Sequence, residues 1–162
     1  MKHIILFLVL LANGITLFAQ HNNQNPSSST IKSIKKMKLN AGIITNKLKE
    51  TKKFYTEVLN FGVTFENDFY LLLHTPENNA EISFLLPNHP SQQPVFHKAF
   101  EGAGVYLTIE VESVEAVYKE MKKTKIPIMV ELRKEPWGDH HFAIQDPNGI
   151  NIDIVTYNPP EK

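Results

Sequence analysis

A chain of 162 residues with 42% hydrophobic content is long enough for one packed domain and too apolar for a disordered one. Seventeen Lys and Arg balance seventeen Asp and Glu, so the charge excess that marks a nucleic-acid partner is missing. No cysteine is present, which excludes disulfides, thiolate nucleophiles, thiolate metal ligands and a lipidated cysteine anchor.

The N-terminus reads as an address rather than as fold. Met1, Lys2 and His3 give a short positive start; Ile4 to Leu11 is an unbroken apolar run; Asn13 and Gly14 interrupt it and Ala19 closes it. This is the layout of a signal peptide over residues 1–19, and it predicts an exported chain, periplasmic or secreted. A stable membrane anchor is not expected, because the apolar stretch is broken and shorter than the ~20 residues of a span. Residues 20–37, rich in Asn, Ser and Gln, have no hydrophobic period and predict a flexible linker.

The folded domain is expected over residues 38–158, in two similar halves. Leu39 to Thr45 reads as a strand. Leu48, Thr51, Tyr55, Val58 and Leu59 then recur at helical spacing. A weak strand near Val63 to Glu66 follows. Phe69 to His74 and Ala80 to Leu86 are strands split by the turn Pro76–Glu77–Asn78–Asn79. A proline-rich connector, Pro87 to Pro94, leads to the second half. There Val105 to Val111 is a strand, Ser113 caps a helix with the stripe Val114, Val117, Tyr118 and Met121, and strands follow at Ile128 to Leu132, His141 to Gln145 and Ile150 to Thr156. Asp146–Pro147–Asn148–Gly149 is a strong turn between the last two.

Two pieces carry a family resemblance. Leu48 to Tyr55 with Val58–Leu59–Asn60–Phe61 is one; Asp146–Pro147–Asn148–Gly149–Ile150–Asn151–Ile152–Asp153 is the other. In their order and spacing the chain resembles the vicinal-oxygen-chelate proteins, the glyoxalase, bleomycin resistance and dioxygenase group. The resemblance implies an α+β fold of two βαβββ modules, here 39–86 and 105–156. Their strands form a curved mixed sheet around a central cleft, with helices outside. It also implies a possible homodimer.

The strand period of two sorts the side chains. Val105, Leu107, Ile109 and Val111 are expected to pack under the helices, as are Ile150, Ile152 and Ile154, Ile82, Phe84 and Leu86, and Ala41 and Ile43. The opposite face then carries Asn40, Glu81, Ser83, Tyr106, Thr108, Glu110 and Asp153. So many polar groups suit a wet binding cleft or a solvated sheet face; the resemblance favours the cleft. If Glu110 joins Glu81 and Asp153 there, the face is acidic and favours a cationic ligand.

In metal-dependent relatives four residues hold one divalent ion, and the resemblance places Asn40, Glu81, Tyr106 and Asp153 at those positions. An amide, a phenol and two carboxylates with no imidazole disfavour a transition metal, although a hard divalent ion remains open. The expectation is a protein without cofactor that binds a small organic molecule, similar to bleomycin resistance proteins. The alternative is a metal-dependent glyoxalase-like lyase or ring-cleaving dioxygenase. Candidate ligand contacts are Glu81, Tyr106, Thr108, Glu110, Trp137, His141 and Asp153. His140 and His141 are neighbours on a strand and must point to opposite faces; His141 is the cleft candidate. Trp137, between Pro136 and Gly138, is either an aromatic platform for a ligand or a loop anchor.

Overall fold

The computed structural model describes residues 38–158. The signal peptide expected over 1–19 and the linker over 20–37 lie outside the described residues. Both modules belong to one compact unit.

In the first module, β1 (Ala41–Ile44) is followed by helix α1 (Leu48–Glu57). Thr51, Phe54 and Tyr55 make the buried stripe of α1, at the spacing of one helical face. Lys47 at its N-cap supplies no side-chain cap. The helix stops before Asn60, whose φ of 58° turns the chain so that Phe61 N–H reaches back to the Tyr55 carbonyl at 2.9 Å. Strands β2 (Gly62–Glu66), β3 (Tyr70–His74) and β4 (Glu81–Leu85) complete the module. The connector contains a short 3-10 turn at Pro94–Phe96, which the hydrophobic pattern did not predict.

The second module repeats the plan: β5 (Tyr106–Glu110), α2 (Val114–Met121), β6 (Ile128–Lys134), β7 (Asp139–Gln145) and β8 (Asn151–Tyr157). Ser113 caps α2 as expected, its hydroxyl accepting from Ala116 N–H at 3.3 Å. The sheets are four-stranded, in the orders β1-β4-β3-β2 and β5-β8-β7-β6. In each, the first strand lies parallel to the last, and the other pairings are antiparallel. This is the α+β architecture of two βαβββ modules.

Alternation places one face of each sheet under its helix. Ile150, Ile152 and Ile154 are almost completely buried, as are Phe84, Leu73 and Phe142. Two expectations need correction. Val105 is 45% exposed and Ala41 is exposed, while Val155 on the opposite face is buried. Val105 precedes the first paired residue of β5, Tyr106, so no neighbouring strand flanks it. Ala41 likewise opens β1 at the sheet edge. Val155 sits on an inner strand of the sheet, between His141 and Glu110 on the flanking strands.

The Asp146–Pro147–Asn148–Gly149 turn joins the modules. Asp146 Oδ1 accepts from the N–H groups of Asn148 at 2.8 Å and Ile150 at 2.9 Å. Its Oδ2 accepts from Asn148 Nδ2 at 2.9 Å and from the Tyr55 hydroxyl of α1 at 3.3 Å. Thr45 Oγ1 donates to Asn148 Oδ1 at 2.5 Å, and Lys47 Nζ donates to the Pro147 carbonyl at 2.6 Å. Gly149 takes φ 85°, a left-handed conformation that favours glycine. The segment that carries the family resemblance is therefore the latch between the two halves.

Candidate functional site

Register alone assembles the open face of the second sheet, the face turned away from α2. Reading across the strands, Arg133, His141, Val155 and Glu110 form one row. Ala143, Asp153 and Thr108 form the next. Asp139 and Tyr157 pair on the other side of the His141 row. Tyr106 lies beyond Thr108, opposite Asn151.

His141 is the hub. Its Nδ1 lies 2.7 Å from Asp153 Oδ1, and its Nε2 lies 3.3 Å from Glu135 Oε1. Glu135 is itself clamped by Arg133, with Nε 2.6 Å from Oε1 and Nη2 3.3 Å from Oε2. A ring whose two nitrogens both face carboxylates donates from both when protonated. Burial of the ring opposes its charge, but the hydrogen bonds and negative charge of Asp153 and Glu135 outweigh that and raise the His141 pKa above its ordinary value. When His141 carries its proton, it and Arg133 balance Asp153 and Glu135. Among the described residues, Glu110 and Asp139 make no ion pair on this face. Partial desolvation first, then the charges of Asp139, Glu110 and Asp153, hold the Tyr157 phenol above its ordinary pKa.

The candidate residues do not all meet. Tyr106, Thr108, Glu110, His141 and Asp153 share the open face of the second sheet. Tyr106, Thr108 and Glu110 are exposed, and His141 and Asp153 are half-buried. Glu81 lies on the first sheet, where Asn40 Nδ2 donates to it at 3.3 Å. Trp137 is 62% exposed in the tight turn Glu135–Gly138, closed by Gly138 N–H to the Glu135 carbonyl at 3.0 Å. Of the two histidines, His140 points to the helix side and His141 to the open face. Sequence reasoning missed Arg133, Glu135, Asp139 and Tyr157. Arg133 and Tyr157 each lie one residue past a predicted strand end, where the apolar signal fades. Two surface pockets of about 660 and 630 Å³ lie on the helix sides of the sheets rather than on the open faces.

The family model for the glyoxalase/bleomycin resistance protein/dioxygenase superfamily matches residues 38–154. The chain belongs to this superfamily. A glyoxalase/bleomycin resistance protein/dioxygenase from Nocardioides is similar in fold at 14% identity and TM-score 0.62, over 83% of this chain and 96% of that one. A bleomycin resistance determinant encoded on the transposon Tn5 superposes at 18% identity and TM-score 0.56, over 76% and 99%. A lactoylglutathione lyase from Agrobacterium tumefaciens does so at 14% identity and TM-score 0.61, over 74% and 92%. No curated protein sequence matches significantly. A structure named for drug resistance and one named as a lyase thus share this fold, and the residues must decide between them.

The four positions that the superfamily resemblance offers to a metal can be checked against register. Asn40 precedes the Ala41–Ile82 pair and so stands beside Glu81, whereas Tyr106 pairs with Asn151 and Asp153 pairs with Thr108. Glu81 and Asp153 therefore do not occupy equivalent places in the two modules. Ser83, paired with Gly42 in the middle of β4, is the counterpart of Asp153. Among the described residues no three His, Asp or Glu side chains gather as a metal-holding group. An amide bound to a carboxylate, a phenol and a histidine-bonded carboxylate are poor donors for a transition metal.

Proposed function

We propose that the chain binds a small organic molecule, cationic and aromatic in character, on the open face of its second sheet, without a resident transition metal. One observation carries the reading: among the described residues Glu110 and Asp139 make no ion pair, and they share the face with the exposed rings of Tyr106 and Tyr157 and with the Arg133–Glu135–His141–Asp153 network. Carboxylates attract an organic cation, and aromatic faces add cation–π attraction of about 0.5–1 kcal/mol at exposed sites. Binding needs no covalent step. Both nitrogens of His141 are occupied, so it orders the face rather than acting as a free base. The similarity to a structure described as an antibiotic binding protein from Streptomyces sp. CB03234, at 15% identity and TM-score 0.60, supports the same reading. Export of the chain belongs to the proposal and is supported by the composition of residues 1–19.

The test is a panel of cationic, neutral and anionic aromatic compounds, followed by Trp137 fluorescence and melting temperature. Cationic members should quench Trp137 saturably and raise the melting temperature, since a ligand of the native state stabilises it. No response from any cationic member rejects the reading. Stoichiometric metal retained after dialysis would replace it with the metal-dependent lyase or dioxygenase alternative. Edman sequencing of the mature chain tests export; a start at Met1 would exclude cleavage.

A further inference from the structure

The pocket of about 630 Å³ on the helix side of the second sheet is lined by Glu115, Lys134, Pro136, His140 and Asn158, among others. It stands on the opposite face of β7 from His141. We propose that this pocket is a second ligand site, and that it takes a small zwitterion of the free amino acid type.

His140 anchors the argument. Its side chain is nine-tenths buried, and its Nδ1 lies 2.9 Å from Glu115 Oε1. With Nδ1 turned to the carboxylate, Nε2 is the ring's remaining polar atom. His140 lines the pocket, and Nε2 has no hydrogen-bond partner among the described residues, so it is not sealed inside the protein. A buried imidazole held by a carboxylate on one side, with its other nitrogen unpartnered in the wall of a cavity, offers a guest a polar contact.

The remaining charges give the guest its shape. Lys134 is the register partner of His140 and projects to the same side of the sheet. It makes no ion pair among the described residues. Glu115 lies on the far side of the ring, on the first turn of α2. A cation on one wall and a carboxylate–imidazole pair on the other complement an ammonium and a carboxylate carried by one small molecule. A metal ion fits less well. Only one imidazole is offered, and Glu135, which also lines the pocket, has its carboxylate committed to Arg133 and His141.

The experiment follows the His140 ring resonances of the ¹⁵N-labelled full chain during titration with glycine, and with acetate, methylammonium and Zn²⁺ separately. Glycine should shift them saturably, and acetate and methylammonium should each bind at least about tenfold more weakly, because each satisfies one wall only. His140 is buried and its replacement risks the fold, so Lys134→Met and Glu115→Gln serve as the variants. Each should weaken glycine at least about threefold while the melting temperature without ligand stays unchanged. The proposal is overturned by the absence of a saturable glycine shift, by acetate or methylammonium binding as tightly as glycine, by Zn²⁺ binding in preference, or by both variants retaining full affinity.

Discussion

Asp146→Ala should be among the most damaging single substitutions in this chain. The carboxylate is buried and accepts four hydrogen bonds, two from backbone N–H groups of its own turn, one from the Asn148 amide and one from Tyr55 in the other module. Hydrogen bonds to a charged group contribute about 1.5–3 kcal/mol each but do not add, and a buried donor left alone costs about 1–3 kcal/mol. Water can enter the truncated site and re-solvate the turn, so the net loss should be about 3–5 kcal/mol. Tyr55→Phe keeps the buried ring and removes one donor, so it should lose about 1–2 kcal/mol. Urea unfolding followed by circular dichroism measures both, and the double variant closes a cycle whose coupling should reach about 1 kcal/mol. A second readout is available at alkaline pH. Burial above all, then the charge and hydrogen bond of Asp146, raise the Tyr55 pKa. An unfolded tyrosine titrates near about 10, so the stability that Tyr55 contributes is complete below that pH and is lost as pH rises beyond it. Tyr55→Phe should remove this alkaline loss. Wild-type stability in Asp146→Ala, or strict additivity in the cycle, would refute the latch.

His141 supplies a second pH dependence. Its pKa is raised in the fold, so its contribution is complete below the unfolded value of about 6.5 and disappears as pH rises through the folded value; His141→Gln should flatten the wild-type decline in thermal melts. Ser113→Ala removes the cap of α2 and should cost about 1 kcal/mol in urea unfolding. Gly62→Ala would place a Cβ 2.2 Å from His74 Nε2, displacing a ring whose Nδ1 holds the Thr75 carbonyl at 2.8 Å; a loss of about 1–3 kcal/mol is expected.

The sequence made the modules readable because both helices carry buried stripes and Ile150, Ile152 and Ile154 alternate without interruption. Strand ends were harder. Burial at a terminus depends on what lies alongside, which is why Val105 and Ala41 are exposed although they sit in phase with buried residues. The site was legible to the extent that period decides direction: His141 and Asp153 share a face as alternation requires. Glu135 was not legible, because it lies in a turn and reaches His141 through the bulged β6–β7 pairing, where register shifts between Val130 and Arg133. Nor could a single strand reveal that Glu81 and Asp153 stand at different levels; that depends on which residue of β1 or β5 lies across from each.

In each module the opening strand lies against the closing one, and this orders events during synthesis. β1 has no neighbour until β4 is made, and β5 has none until β8 is made. The acceptor for the Tyr55 hydroxyl arrives 91 residues after the phenol itself. A ribosome stalled before Asp146 would hold a first half that has its sheet but lacks the group that quiets its buried hydroxyl. The Asp146 turn and β8 therefore complete both halves together, and a truncation that removes Asp146 should be felt in α1 as well as in β7.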